Sequence, residues 1–154
     1  ALLLNLSGEI LMGIFRRGAP TAASHSSAAG ATLGRVYADG EAIVTQGEVG
    51  GCMYVIQDGT VEAVAESDGE TVVLRRLGKN DFFGEMALFE KDIRTATIRA
   101  VGPARVLTVD RRNFLRGVVE DPSLAMRMVR TMSHRIRDLT GRLARYEKPA
   151  EIGN

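Results

Sequence analysis

The residues best suited to chemistry in this sequence are Glu85 and Arg94, which lie nine positions apart. Gly84, Glu85, Met86 and Ala87 follow one another directly, and this order predicts a tight turn that opens into a single helical turn. The first N–H groups of a helix have no partner within it, so such a turn offers hydrogen-bond donors to an anion. Arg94 would add a positive charge suited to a phosphate. The segment therefore predicts an anion site.

The role of Glu85 is constrained by its own charge. A carboxylate beside a phosphate would repel it, so Glu85 would have to face a hydroxyl group instead. A ligand with a phosphate and a neighbouring sugar hydroxyl would satisfy both Glu85 and Arg94. The structural alternative is that the two side chains form an internal ion pair within a β-domain. The residues alone leave both interpretations open.

The segment lies in a region whose hydrophobic pattern is that of short β-strands. Predicted strands cover residues 42–45, 53–57, 60–66, 71–77, 96–101 and 105–110. Turns are predicted at Asp39-Gly40, Gln46-Gly47, Asp58-Gly59, Asp68-Gly69 and residues 78–81. Asp-Gly pairs supply the positive φ angles that tight hairpin turns need. Short strands at this spacing, without long intervening helices, predict a mainly β, closed or sandwiched antiparallel fold.

The last third of the sequence is predicted to be helical. Asp110 is a candidate cap for a short helix, and Asp121-Pro122 is a typical start for a second one. An apolar stripe then follows with helical spacing: Leu124, Met128, Met132, Ile136, Leu139 and Leu143. The stripe predicts an amphipathic helix of about six turns. Such a helix could lie across the β-domain or pair with another copy of itself, so a homodimer is one expectation.

The chain divides into three predicted parts. Residues 1–33 hold a short amphipathic helix over Glu9–Arg17 and a linker rich in small residues. The globular domain is expected to cover residues 34–146, and residues 147–154 form a C-terminal tail. A sequence of 154 residues supports one domain with a hydrophobic core, but hardly two complete domains.

Composition excludes several classes of function. The formal net charge is +1, which gives no general argument for binding nucleic acid, although residues 38–92 alone carry twelve acids and four bases. The single cysteine, Cys52, excludes a disulfide framework and fits a reducing compartment. No apolar run approaches the roughly 20 residues that span a bilayer. We therefore expect a soluble, cytoplasmic protein without a membrane segment.

Catalytic and metal-binding constellations are not evident. The two histidines, His25 and His134, are far apart in sequence, and the predicted strands contain none. A β-barrel metal site needs several His or Glu ligands on its strands. No Ser-His-Asp or Cys-His arrangement stands out, and Cys52 is interpreted as a small buried residue. We expect no metal and no enzymatic activity.

The segment around Glu85 resembles the phosphate-binding cassette of the cyclic nucleotide-binding domain family. That family includes the bacterial catabolite activator protein, protein kinase A regulatory subunits and cyclic-nucleotide-gated channels. Residues 83–88 read FGEMAL and residues 94–96 read RTA, which is the complete cassette pattern. The resemblance extends over about residues 34–146. It implies an antiparallel, jelly-roll-like β-roll followed by two C-terminal helices, the B and C helices.

The resemblance also implies roles for individual residues. Glu85 would accept a hydrogen bond from the ribose 2′-hydroxyl and Arg94 would pair with the cyclic phosphate. The rest of the implied ligand-binding set is Gly84, Met86, Ala87, Thr95 and Ala96 in the cassette, Leu74 and Leu77 against the base, and Arg135, Leu139 and Thr140 on the covering C helix. A serine or threonine after the arginine accompanies cGMP acceptance in many members, so Thr95 leaves cAMP and cGMP open, with cAMP preferred.

The function implied is cyclic nucleotide sensing, with the C helix changing position when the ligand binds. Two alternatives remain: a non-binding structural or dimerisation domain of the same fold, and a fragment of a DNA-binding regulator. The second would need a helix-turn-helix after the C helix, and eight residues beyond Tyr146 leave no room for one. Direct DNA binding is therefore not expected, and the effector is not identified by the sequence.

Overall fold

The computed structural model describes residues 34–90 and 92–146. The predicted N-terminal helix and linker and the C-terminal tail lie outside these described residues. The strands are β1 (Arg35–Tyr37), β2 (Ala42–Val44), β3 (Val49–Gly50), β4 (Cys52–Ser67), β5 (Glu70–Leu77), β6 (Phe82–Phe83), β7 (Asp92–Ile93) and β8 (Thr97–Asp110). A 3₁₀-helix covers Glu85–Leu88, and the α-helices are α1 (Arg111–Glu120) and α2 (Ser123–Tyr146).

The strands form one six-stranded sheet and one two-stranded sheet. The larger sheet has the order β1-β8-β4-β5, with β2 also paired to β8 and β6 also paired to β4. The smaller sheet consists of β3 and β7, and every pairing in both sheets is antiparallel. This architecture confirms the prediction of a mainly β, antiparallel roll with helices at its C-terminal end.

The predicted turn at Asp58-Gly59 is wrong. The predicted strands 53–57 and 60–66 are one continuous strand, β4, and residues 97–101 and 105–110 likewise belong to one strand, β8. The two long strands pair along most of their length, and their register shifts on both sides of Asp58. Gly59 does have positive φ, at 84°. Positive φ at this glycine therefore marks a β-bulge and not a hairpin turn, because β8 pairs with β4 on both sides of it.

Gly59 is also a position of close backbone approach. A side chain there would overlap the carbonyl oxygen of Pro103 on β8, whereas Gly69, which also has positive φ, has nothing within 4 Å of the same position. Both alanine variants bear the cost of the left-handed conformation, about 1–2 kcal/mol. We expect Gly59→Ala to lower the free energy of unfolding further than Gly69→Ala, as measured by urea denaturation. Equal losses would contradict the steric argument.

The core consists of two clusters on the two sides of β4. Met53 and Val55 face one cluster, which includes Phe114 of α1 and Leu124 of α2, while Ile56 faces the other, inside the roll. Because alternate residues of a strand point to opposite faces, a strand buried on both sides needs apolar residues at consecutive positions. This explains the unbroken apolar run over residues 53–56.

The two helices begin at side-chain caps, as predicted. The carboxylate of Asp110 accepts a hydrogen bond from the N–H of Asn113 at 2.7 Å, and that of Asp121 accepts one from the N–H of Ser123 at 3.0 Å. Helix α2 buries Leu124 and Met128 near its start. No helix within the described residues is both long and apolar enough to cross a membrane.

An ion cluster on neighbouring strands makes stability depend on pH. The buried carboxylate of Glu62 lies 2.8 Å from the Arg99 guanidinium and 3.5 Å from that of Arg76. Hydrogen bonding from Arg99, aided by the charges of both arginines, holds the pKa of Glu62 below its ordinary value. The unfolded chain therefore takes up this proton first as the pH falls, and the stability contributed by Glu62 is lost on acidification.

We expect Glu62→Gln to reduce the pH dependence of stability on the acid side. In the wild type the free energy of unfolding should fall as the pH drops from about 5 towards 3. In Glu62→Gln this fall should be smaller, as measured by urea midpoints across that range. Glu66→Gln removes an exposed carboxylate from the same strand and is the matched control. Identical pH profiles for the two variants would contradict the expectation.

Candidate ligand-binding site

A cavity of about 280 Å³ lies between the 3₁₀-helix, strand β5 and helix α2. This volume is near the lower end of the range for small-molecule sites. Eleven of the twelve residues predicted from the sequence line it: Leu74, Leu77, Gly84, Glu85, Met86, Ala87, Arg94, Thr95, Ala96, Arg135 and Leu139. Residues from three separate stretches of the sequence are thus brought to one cavity.

Thr140 is the exception among the predicted site residues. It does not line the cavity, and its hydroxyl donates a hydrogen bond to the carbonyl of Ile136 at 2.9 Å on the exposed side of α2. Successive residues of a helix are turned by about 100° around its axis. Leu139 reaches the cavity for this reason, while Thr140 faces solvent.

Arg94 is buried at the cavity wall, with only 9% of its surface exposed. Its Nη2 donates to the carbonyl of Cys52 at 2.8 Å and its Nη1 donates to the carbonyl of Gly84 at 3.3 Å. Its backbone is held as well, because its N–H donates to the carbonyl of Glu48 at 2.7 Å. Arg94 takes no part in the ion pairs found among residues 34–90 and 92–146. Its charge is therefore held in place by neutral carbonyl groups.

Glu85 is equally buried and does not pair with Arg94. Its Oε1 instead lies 2.9 Å from Nη1 of Arg135 on α2, and Nη2 of Arg135 donates to the carbonyl of Phe82. The guanidinium of Arg135 also lies 4.5 Å from the ring centroid of Phe82. Nε of Arg135 is buried without a hydrogen-bond partner in the described part of the chain. The internal Glu85–Arg94 ion pair considered from the sequence is therefore wrong.

The 3₁₀-helix begins at a glycine that the backbone requires. Gly84 has φ 73°, in the left-handed region, and precedes Glu85 at the first helical position. This geometry turns the chain sharply after strand β6, so that the helix begins at the cavity. The predicted tight turn into a single helical turn is confirmed.

No three histidine, cysteine, aspartate or glutamate side chains within the described ranges are grouped so that they could hold a metal ion. Most of the charged side chains at the cavity are arginines, and the carboxylates that line it belong to Glu85 and Asp138. Together with the glycine turn and the buried guanidinium, these side chains form a site suited to a small anion that also carries hydroxyl groups.

A family comparison supports this chemistry. Residues 34–121 match the family model described as the cyclic nucleotide-binding domain, and this match covers more than half of the chain. The chain belongs to the cyclic nucleotide-binding domain family.

Similar proteins come from several branches of this family. The chain is 43% identical over 81 residues to the cGMP-dependent protein kinase egl-4 of Caenorhabditis elegans, a match over 51% of this chain and 10% of the relative. It is 38% identical over 81 residues to a cAMP-dependent protein kinase regulatory subunit of Blastocladiella emersonii, over 52% of this chain and 20% of the relative. The chain therefore spans a small part of the length of these relatives.

A solved structure supports the same assignment. The Thermus thermophilus catabolite activator protein is similar with a TM-score of 0.65 and 28% identity, over 71% of this chain and 52% of that one. The shared part is the cyclic nucleotide-binding fold, which confirms the family resemblance of the cassette and the roll. Because only part of each of these proteins is matched, the similarity establishes the domain and not its effector.

Three charged residues at the cavity of this cyclic nucleotide-binding domain were not predicted. They are Arg75, Asp138 and Arg142. Arg142 of α2 donates to the carbonyl of Leu74 at 2.8 Å, and Asp138 lies 4.0 Å from Arg75. Helical spacing contains a signal for two of them, because positions three and seven after Arg135 share its face of the helix. Without the position of β5, that face could not be assigned to the cavity.

Proposed function

We propose that this domain binds a cyclic nucleotide and has a regulatory, non-catalytic role. The observation that carries the proposal is Arg94, a buried guanidinium at the cavity wall that neutral carbonyls hold and no carboxylate of the described residues pairs with. A buried charge without a counter-ion is costly. A cyclic phosphate would supply that counter-ion, with the backbone N–H groups of Gly84 and Ala96 and the hydroxyl of Thr95 nearby.

The ribose and base would occupy the rest of the cavity. Glu85 would accept a hydrogen bond from the ribose 2′-hydroxyl while Arg135 keeps its carboxylate oriented. The base would lie against Leu74 and Leu77 and be covered by Leu139 of α2. Met86 and Ala87 complete the cassette wall, and Thr140 would need a rearrangement of the helix to reach the ligand.

We take cAMP as the first candidate ligand and cGMP as the second. The relatives include a cGMP-dependent kinase and a cAMP-dependent kinase regulatory subunit, so the comparisons favour neither. Thr95 follows the phosphate-binding arginine and leaves room for either base. A single titration experiment with both nucleotides decides between them.

We further propose that α2 changes position when the nucleotide binds. Helix α2 contributes buried side chains to the core only near its start, at Leu124 and Met128. Beyond these, Arg135 and Arg142 contact the cassette and β5 through polar groups at the cavity. A nucleotide that competes for these groups would change the free energy of that contact, which is the condition for a ligand-driven shift. The domain would then transmit the signal to an unidentified effector in the cytoplasm.

A homodimer through α2 is a second proposal, favoured by the spacing of its apolar residues. These residues follow a heptad: Val129, Ile136 and Leu143 at one core position, and Met132, Leu139 and Tyr146 at the other. Most of them are exposed in the single chain. Val129 and Ile136 at the first position with Leu139 at the second match the combination that favours two parallel helices. Sedimentation equilibrium of the wild type and Ile136→Lys tests this, and a monomeric wild type would contradict it.

Isothermal titration calorimetry with cAMP and cGMP tests the main proposal. We expect saturable binding of at least one cyclic nucleotide in the range of about 1–50 μM or tighter. Non-cyclic 5′-AMP is the matched control ligand, because it carries the same base and sugar with a different phosphate geometry. If neither cyclic nucleotide gives a heat of binding at tens of micromolar, the proposal is overturned and a structural domain of the same fold is favoured.

A further inference from the structure

The guanidinium of Arg94 lies in a narrow slot between two glycines. A Cβ atom added to Gly50 would overlap Cζ, Nε and Nη2 of Arg94, and one added to Gly84 would lie 2.6 Å from Nη1. Gly84 is also required by its positive φ, but no such backbone requirement applies to Gly50. The glycine at position 50 is therefore explained by the space that the guanidinium occupies.

An aromatic ring lies beside the same guanidinium. The Cζ atom of Arg94 is 5.7 Å from the ring centroid of Tyr54, within the distance of a cation–π contact. Tyr54 is itself held by stacking on Phe83, with ring centroids 5.0 Å apart and an angle of 13° between the planes. Both aromatic residues come from paired strands, since Tyr54 of β4 is the register partner of Phe83 of β6.

The groups that contact the Arg94 guanidinium in this slot are electrically neutral. The Tyr54 phenol is uncharged near neutral pH, and burial raises its pKa further above the ordinary value. The carbonyl groups of Cys52 and Gly84 accept hydrogen bonds from the guanidinium without neutralising it. A carboxylate in their place would fix the arginine equally well but would compete with an anionic ligand. The slot thus orients the guanidinium and leaves its charge for the ligand.

We propose that Gly50 and Tyr54 are positioning residues for the phosphate of the ligand, acting through the guanidinium of Arg94. This inference rests on the proposed function, because it concerns how the same cavity binds a cyclic nucleotide. Neither residue lines the cavity. Both set the place and plane of Arg94, and a binding group must be held within about 0.5 Å of its productive geometry to act at full strength.

The test compares two neighbouring glycines by calorimetric titration of the full chain with cAMP. Gly50→Ala forces the guanidinium out of its slot and should weaken cAMP binding by about tenfold or more. Gly51→Ala is the matched control, because nothing lies within 4 Å of its added Cβ and its φ is not positive. We expect this control to bind cAMP within about twofold of the wild type.

Further variants separate positioning from a general effect on folding. Tyr54→Phe keeps the ring and should bind cAMP nearly as well as the wild type, whereas Tyr54→Leu should bind about tenfold more weakly. In an Arg94→Lys background, which lacks the planar fork, Gly50→Ala should change cAMP affinity by less than about twofold. Thermal unfolding of every variant checks that it is folded.

The outcomes distinguish the two proposals. If the wild type binds cAMP and Gly50→Ala binds it as tightly as Gly51→Ala does, the positioning role is overturned and the proposed function stands. If Gly50→Ala weakens binding equally in the wild-type and Arg94→Lys backgrounds, the effect does not pass through Arg94 and the inference is again overturned. If the wild type binds neither cAMP nor cGMP, both proposals fail together.

Discussion

Arg94→Ala is expected to weaken binding of the cyclic nucleotide severely. Removing one partner of a buried, hydrogen-bonded charge pair costs about 2–5 kcal/mol, which corresponds to a loss of roughly 30-fold to 5,000-fold in affinity. Arg94 meets the conditions for the upper part of this range, because it is buried at the cavity wall and positioned by the carbonyls of Cys52 and Gly84. Titration of cAMP and cGMP into the folded variant measures the loss.

The control for this experiment is a surface arginine on the same chain. Arg130 is exposed on α2, and Arg130→Ala should leave the affinity within about twofold of the wild type. An Arg94→Ala protein that binds either nucleotide as tightly as Arg130→Ala does would contradict the phosphate contact. The cavity could then still bind a ligand, but its anion would lie elsewhere.

The second large effect is expected on stability, from the residue that joins α2 to the roll. Leu124 is 1% exposed and belongs to the same cluster as Met53 and Phe114. Leu124→Ala should lower the free energy of unfolding by about 2–5 kcal/mol, since it removes buried methyl groups and leaves a cavity. Urea denaturation followed by circular dichroism measures this change.

Leu115→Ala provides the matched comparison for Leu124→Ala. Leu115 is an exposed leucine on α1, so the same substitution removes much less buried surface there. Its cost should be below about 1 kcal/mol. If the two variants were equally stable, Leu124 would not be a main attachment of α2 to the roll. The proposed change in the position of α2 would then lack a fixed end of the helix.

The cassette could be predicted because its signals are local. Gly84, Glu85 and the helical turn after them are adjacent in sequence, and Arg94 follows within ten residues. A turn that needs positive φ, a carboxylate and an arginine at this spacing carry their information within one short segment. Binding groups on a local segment can therefore be named before the fold is known.

Contacts between distant segments could not be predicted in the same way. Arg135 reaches Glu85 across fifty positions, and Gly50 leaves space for Arg94 across forty-four. The residue types do not reveal these contacts, because glycine is common near turns and arginine is common on the solvated face of an amphipathic helix. Each pair depends on how β3, β7 and α2 are placed around the roll.

The error at Asp58-Gly59 has a physical cause of the same kind. An Asp-Gly pair indicates positive φ, and Gly59 does have it, but positive φ occurs both in hairpin turns and in bulges. Asp68-Gly69 carries the same signal and does form the turn between β4 and β5. The two sites differ in what the chain does next. After Gly59 the chain continues alongside β8, whereas after Gly69 it folds back onto β4, and this choice depends on strand pairing between segments far apart in sequence.

The long pair of strands β4 and β8 has a consequence for cooperativity. These strands supply side chains to both hydrophobic clusters, with Met53 and Val109 on one side and Ile56 and Val106 on the other. Loss of order in the ribbon would remove side chains from both clusters at once, so the two are thermodynamically coupled. Backbone amides on both sides of the ribbon should then exchange with deuterium only through the same global opening, as one folding unit.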